Sequence, residues 1–337
     1  MRVGVAIDDT WAFFNEIYAD LQAHHQTTLY QPGKDSSTTL FRRFRINRNV
    51  LDFQNFLRAN QVVFFEWATG LLKTATHLPK TCGIVTRIHR YEMYDWVDLI
   101  NWEAVDRVIL VSSAKQHEFN QKFPAQAEKT IVIPEAIPIE KFEYRPKPYR
   151  GDIGILCHIS PRKRVYELIL AFNELIKRDP RFHLHIGGGK RRASQDYFSA
   201  LHRLVERLGL EDKITFYGNV ENPQDWYQKI DIFISNSYSE GLQVSPMEAI
   251  ASGCYCLSHW WDGAEELLPK KNLYFGEAEL LEAVLRYAEL SEAERLKAIG
   301  ELRDRIIERF DMSKIKVQIR HLIEEVGSSY PRNNGGG

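Results

Sequence analysis

Short apolar runs rich in β-branched residues recur along this chain at intervals of a few tens of residues, with amphipathic stretches between them. That alternation predicts a parallel α/β architecture, because strands buried on both faces need apolar runs and each crossover needs a helix. In the first half the runs are Val3 to Ile7, Val62 to Phe65, Ile84 to Ile88, Val108 to Val111 and Ile131 to Ile133. In the second half they are Ile153 to Cys157, His183 to Ile186, Ile214 to Tyr217, Ile232 to Ile234 and Cys254 to Leu257. Helices are predicted over Trp11 to His24 and Ala114 to Phe123, and after Leu280 the chain reads as almost wholly helical. Between the halves, Pro134, Pro138, Pro146 and Pro148 deny ladder donors and helix interiors. They divide the chain at about residue 148 into two doubly wound domains, 1–145 and 150–310. A last helix over about 311–327 is placed to pack back on the first.

A chain of 337 residues is near the size at which one core gives way to two. Its 44 Lys and Arg against 45 Asp and Glu leave a net charge of -1, without the cationic surplus on which general nucleic-acid affinity rests. Cys82, Cys157, Cys254 and Cys256 form no CxxC pair, which speaks against structural zinc and a disulfide framework and for a reducing compartment. The opening MRVGVAIDD reaches two aspartates before a signal-peptide core could form, and no window is apolar enough to span a membrane. The expected location is the cytoplasm, or a membrane face that the chain does not cross.

In doubly wound sheets ligands lie beyond the carboxyl ends of the strands. After Ile153 to Cys157 come His158, Ser160, Pro161, Arg162, Lys163 and Arg164, then apolar residues at helical spacing. Ser160 suits an N-cap and Pro161 the first helical position. Three cations on a helix start oppose its dipole, which points to an anionic ligand, with a solvated basic turn as the plainer reading. After Ile232 to Ser235, the stretch Asn236 to Ala249 carries Glu240, Gly241 and a second Ser245-Pro246 start. Two helix starts at one sheet end suit a diphosphate. Glu248 stands three residues after Ser245, so a capping box competes with a ligand role. Glu240 precedes the helix, and a carboxylate in an anion-binding turn makes sense where it accepts hydrogen bonds from ligand hydroxyls.

The spacing Glu240-x7-Glu248, in SYSEGLQVSPMEAIASG, resembles the signature of the retaining glycosyltransferases of family 4. HISPRKRVYELILAF is similar to that family's phosphate segment, ITFYGNV, ending at Gly218, to its nucleobase-side strand and turn, and VIPEAIPIEKF to its interdomain segment. The resemblance implies the GT-B fold, two Rossmann-like domains facing across a cleft, and transfer of a hexosyl group from a UDP- or GDP-linked sugar to a glycan, lipid-linked or small-molecule acceptor. By position, Lys163 would contact the donor diphosphate, Glu240 the sugar hydroxyls and Glu248 the ribose. Backbone N–H groups around Gly241, Leu242, Val244 and Ser245 would hold the phosphates. No resident cofactor is implied, since the sugar nucleotide is a co-substrate. No metal is implied either, in keeping with the lack of an Asp-x-Asp motif. Retention is expected by front-face attack.

The chain departs from the family pattern in several places. Cys157-His158 stands where a Gly-Arg pair is usual, so His158 takes the place of the second phosphate cation. Arg164 replaces the glycine after Lys163 and could replace the missing arginine. Glu135-Ala136 stands where Asn-Gly is common. Asp8-Asp9-Thr10-Trp11 replaces a glycine-rich loop and is assigned to acceptor binding or to structure. His89 falls where the family often has a histidine facing the cleft, with a polar strand end as the alternative, and Arg87, Arg90 and Glu92 share its segment. FRRFRINRNVLDFQNFLR mixes Arg42, Arg43, Arg45 and Arg48 with Phe41, Phe44, Phe53 and Phe56. It reads either as a surface for an anionic acceptor or membrane, or as a solvated helix with a core face. Two other readings stand beside this one: a nicotinamide oxidoreductase, against which this chain has no GxGxxG after its first strand, and a non-catalytic sugar-nucleotide-binding subunit.

Overall fold

The computed structural model describes residues 1–11, 14–32, 42–189 and 194–331, with the side chains of 42–49 excepted. Phe41, Phe44, Arg42, Arg43, Arg45 and Arg48 therefore lie outside the described residues or side chains. Two compact units result: Met1–Glu135 with Met312–Gly337, and Ala136–Asp311.

The first unit holds a parallel sheet of β1 (Arg2–Ala6), β2 (Gln26–Tyr30), β3 (Val62–Phe65), β4 (Gly83–Ile88), β5 (Arg107–Leu110) and β6 (Thr130–Val132), in the order β2-β1-β3-β4-β5-β6. Every residue of β3 and β4 is buried, as a central parallel strand requires. The helix Met312–Ser328 lies against β3, β4 and the helix Asn15–His24. Gly83 and Gly327 allow this close approach, since a Cβ at Gly83 would stand 2.5 Å from Val326 and one at Gly327 2.7 Å from Met1. Phe53, on the helix Arg42–Ala59, is buried with its ring 4.7 Å from that of Tyr30, so this part of the aromatic stretch serves the core.

In the second unit β7 (Asp152–Leu156), β8 (His183–Gly187), β9 (Ile214–Gly218), β10 (Ile232–Ser235), β11 (Tyr255–His259) and β12 (Leu273–Tyr274) form a parallel sheet in the order β12-β11-β10-β7-β8-β9. The strand order reverses between β7 and β10. An apolar core of Ile153, Ile155, Leu168, Phe172, Leu184 and Ile186 lies between the sheet and the helices Val165–Arg178 and Gln195–Leu208.

The chain divides between Glu135 and Ala136, so Pro138, Pro146 and Pro148 belong to the second unit and their segment packs on it. Prolines set an extended backbone but leave side chains free to pack. Phe142 is buried with its ring 6.3 Å from that of Tyr227, and the Lys147 ammonium donates to the carbonyls of Tyr227 at 2.9 Å and Ile230. Tyr144 covers Gly253, whose φ of +93° excludes a Cβ that would meet the ring at 2.6 Å. The cysteines are free, and Cys82, Cys254 and Cys256 are buried.

Candidate active site

The carboxyl ends of β7 and β10, the two strands flanking the order reversal, bring the sequence-selected residues together. After β7 the chain runs extended through Ser160 into a single 3-10 turn, Pro161–Lys163, then takes a left-handed step at Arg164 before the helix begins at Val165. Ser160 makes no side-chain cap bond, so the helix start expected there is displaced by four residues. After β10 the helix begins at Val244 with Gln243 as N-cap, not Ser245, and Gln243 accepts a hydrogen bond from the Ser235 hydroxyl. Ser245 and Pro246 lie inside its first turn. The capping box is thus overturned: Glu248 Oε2 instead accepts from the Tyr227 hydroxyl at 2.8 Å. Burial raises the pKa of Glu248 against the opposing effect of that bond. First-turn N–H groups have no partner within their own helix, and here Val244 and Ser245 supply them, Pro246 having none and Met247 closing the first helical bond onto Gln243.

Glu240 and Lys163 touch each other. Glu240 Oε1 accepts from Lys163 Nζ at 2.6 Å and from the Arg162 guanidinium, which also donates to the Ser239 carbonyl at 2.7 Å. Burial of Glu240 favours its neutral form, but the charges of Lys163 and Arg162 and hydrogen bonds from Lys163 and Ser237 outweigh it and hold the pKa down at about 2. Separate roles for Lys163 on a diphosphate and Glu240 on sugar hydroxyls therefore require the pair to part when a ligand enters. Arg162 was not singled out in the sequence, and its place in a run of three cations was the only signal.

Gly241 and Leu242 are buried beside Glu240, Val244 and Ser245 are half-buried, and His158 is exposed. Gly218 ends β9 with φ +65°, its carbonyl accepting from Gly188 N at 2.7 Å. A Cβ on Gly188 would stand 1.7 Å from the Cys157 carbonyl oxygen, and one on Gly189 would stand 1.9 Å from Asn219 Oδ1. Gly188, Gly189 and Gly218 thus close the ends of β7, β8 and β9 against one another. Among the described residues no group of three or more His, Cys, Asp or Glu is arranged to hold a metal.

His89 belongs to the first unit, beyond β4. Its Nδ1 lies 2.5 Å from Glu135 Oε1 and its Nε2 lies 3.3 Å from Glu66 Oε1, and its ring stacks on Trp67 at 4.1 Å. Both ring nitrogens face carboxylate oxygens, an environment that favours the doubly protonated imidazolium. Burial works against the charge, but Glu135 and Glu66 overcome it and raise the pKa to about 10. Arg87, expected to help shape the acceptor site, is buried and bonded to Glu66, with Glu135 Oε2 at 3.6 Å. Glu92 is buried as well and accepts the His89 N–H at 3.3 Å. Glu66 and Trp67 follow directly on β3 and gave no sequence signal, whereas Glu135 was visible as a departure. Asp9 accepts from the Tyr91 hydroxyl at 2.7 Å, and Asp8 from the Thr69 hydroxyl at 2.5 Å and from Leu71 N at 3.3 Å.

Solved structures share this fold over nearly the whole chain. A cyanobacterial protein, Alr3699/HepE of Anabaena, crystallised with UDP and glucose, is 18% identical and superposes with a TM-score of 0.78 over 96% of this chain and 100% of its own. Sucrose-phosphate synthase of Thermosynechococcus elongatus is 14% identical, with a TM-score of 0.77 over 98% of this chain and 100% of its own. These likenesses establish the GT-B fold. Among curated proteins, alpha-monoglucosyldiacylglycerol synthase of Streptococcus pneumoniae is 28% identical over 202 residues, 54% of this chain and 44% of that protein. The chain therefore aligns with less than half of that relative's length. The model of the family described as glycosyl transferases group 1 matches residues 138–310, which takes in β7 to β12, the Glu240–Lys163 pair and Glu248. With that match covering just over half of its length, the chain belongs to the group 1 glycosyl transferases.

Proposed function

We propose that the chain moves a hexosyl group from a UDP- or GDP-linked sugar to a glycan, lipid-linked or small-molecule acceptor, retaining the anomeric configuration and needing no divalent metal. The observation that carries this reading is the meeting of Glu240, Lys163 and Arg162 where the strand order of the second sheet reverses. A diphosphate entering there competes with the Glu240 carboxylate for the two cations. Once displaced, Glu240 is an ionised acceptor for sugar hydroxyls, and Lys163, Arg162 and the first-turn N–H groups of Val244 and Ser245 meet the charge that develops on the leaving diphosphate. His158 and Arg164 stand beside that path as further donors, Glu248 serves the ribose, and Gly218 lets backbone approach the base. His89, with both nitrogens engaged, enters as a fixed positive charge of the first unit and not as a base.

A UDP-linked donor agrees with the UDP and glucose held by the cyanobacterial structure, and a lipid-linked acceptor with the name of the pneumococcal relative. Peripheral contact with a membrane face belongs to the same proposal, since lipid-linked acceptors lie there. No helix among the described residues is long and apolar enough to cross a membrane. The test is a panel of UDP-, GDP- and ADP-sugars scored by thermal stabilisation, which a specific donor raises by mass action, followed by transfer assays without added metal in the presence of a chelator. Nuclear magnetic resonance of the product is expected to show the donor's anomeric configuration. An inverted product would refute retention, loss of transfer with chelator would refute metal independence, and binding without transfer or hydrolysis would make the chain a binding subunit instead.

A further inference from the structure

Arg164 is the one non-glycine with positive φ among the described residues, at φ 51° and ψ 40°. A Cβ disfavours that conformation, which persists only where the surroundings impose it. Here the constraint can be traced. The Arg164 carbonyl accepts from Asn236 Nδ2 at 2.8 Å, and Asn236 Oδ1 accepts from the Tyr274 hydroxyl at 2.8 Å. Asn236 and Tyr274 are both buried, one directly after β10 and the other ending β12. Because a carbonyl can only accept, Arg164 requires the Nδ2 end of the Asn236 amide, and the Tyr274 hydroxyl, donating to the Oδ1 left on the other side, holds the amide in place. The chain of bonds thus runs from β12 through β10 to the turn that carries Lys163.

We propose that Asn236, held by Tyr274, is a positioning residue that pins the Arg164 carbonyl and thereby sets Lys163 for a nucleoside diphosphate. This rests on the sugar-nucleotide reading above. Without the pin, the Arg164 carbonyl keeps only the Leu168 N–H at 3.1 Å, a bond that a right-handed step also allows, so the turn can relax in a way that carries the Lys163 backbone with it and lengthens the first turn of the helix Val165–Arg178.

The test is a double-mutant cycle of Asn236→Ala and Arg164→Gly, read both as the midpoint of thermal unfolding without ligand and as the dissociation constant of UDP by calorimetry. Glycine takes the left-handed step freely, so the pin has nothing to hold in the Arg164→Gly background. Asn236→Ala alone is expected to weaken UDP binding about ten-fold, roughly the worth of one hydrogen bond, and to lower the midpoint. In the Arg164→Gly background the same change is expected to cost about two-fold or less. Tyr274→Phe, which removes one oxygen and keeps the ring, is expected to weaken UDP in the same direction and serves if Asn236→Ala fails to fold. Equal losses in both backgrounds overturn the proposal, and so does a lowered midpoint with UDP affinity unchanged. A wild-type protein that binds none of UDP, GDP and ADP brings down the sugar-nucleotide reading instead, and strictly additive midpoints would then remove the pin as well.

Discussion

On the proposed reading Glu240 holds the two cations that an incoming diphosphate would meet, so the carboxylate competes with the ligand. Glu240→Gln removes the competing charge while keeping the shape. It is expected to tighten UDP binding by about ten-fold, the scale of one charge-assisted hydrogen bond no longer broken on entry, and to abolish sugar transfer. Calorimetry with UDP and a turnover assay check both halves, and weaker UDP binding would contradict the handover. The same carboxylate sets an acid limit. Its pKa in the folded protein lies below the ordinary value, so its stabilisation is complete above about pH 4.5 and is lost as the pH falls toward about 2. His89 behaves oppositely. With its pKa raised to about 10, its contribution is full below about pH 6.5 and drains away as the pH climbs through 10. Glu135→Gln, which strips a buried charge partner, is expected to cost about 3–5 kcal/mol near neutral pH. Its deficit against wild type should shrink as the pH approaches 10, which unfolding curves across that range would reveal.

Helix starts mark where local chemistry stops predicting structure. Ser160-Pro161 and Ser245-Pro246 have the residues of a cap, yet neither serine caps, because tertiary bonds from Asn236 to Arg164 and from Ser235 to Gln243 decide where each helix begins. Ser245→Ala should therefore move the unfolding midpoint by less than about 1 °C. Ser291→Ala, in the capping box that Ser291 does form with Glu294, should lower it by roughly 2–4 °C. Gly188→Ala should cost at least about 3 kcal/mol, since its φ of +126° and the Cys157 carbonyl both exclude a side chain. Ten of the strands were legible as apolar, mostly β-branched runs, whether buried on both faces like β3 and β4 or partly exposed at an edge like β6 and β9. The two that were not, β2 and β12, lie at sheet edges, β2 half-exposed and β12 only two residues long. Of the site, Glu240 and Lys163 could be read from their surroundings in the chain, but their contact could not, because it joins segments 77 residues apart. Tyr274 left no trace at all, being one apolar residue in a strand too short to show a period.

The whole molecule is two units, one continuous and one closed by a returning helix. Residues 136–311 contain the complete second sheet and its core, so this fragment expressed alone is expected to unfold cooperatively and to bind UDP as the full chain does. Truncation after Asp311 should instead uncover the faces of β3 and β4 that meet Ile315, Ile319, Ile323 and Val326, leaving a first unit that aggregates. Size-exclusion chromatography and circular dichroism of the two fragments separate these outcomes. The returning helix also imposes a schedule on biosynthesis. The first sheet emerges from the ribosome early, yet the segment that seals it is made only after the entire second unit, a delay of roughly ten to thirty seconds at about 5–20 residues per second. Throughout that interval the nascent chain carries an open apolar strip, which makes it a natural client for chaperones that shield such surfaces during translation.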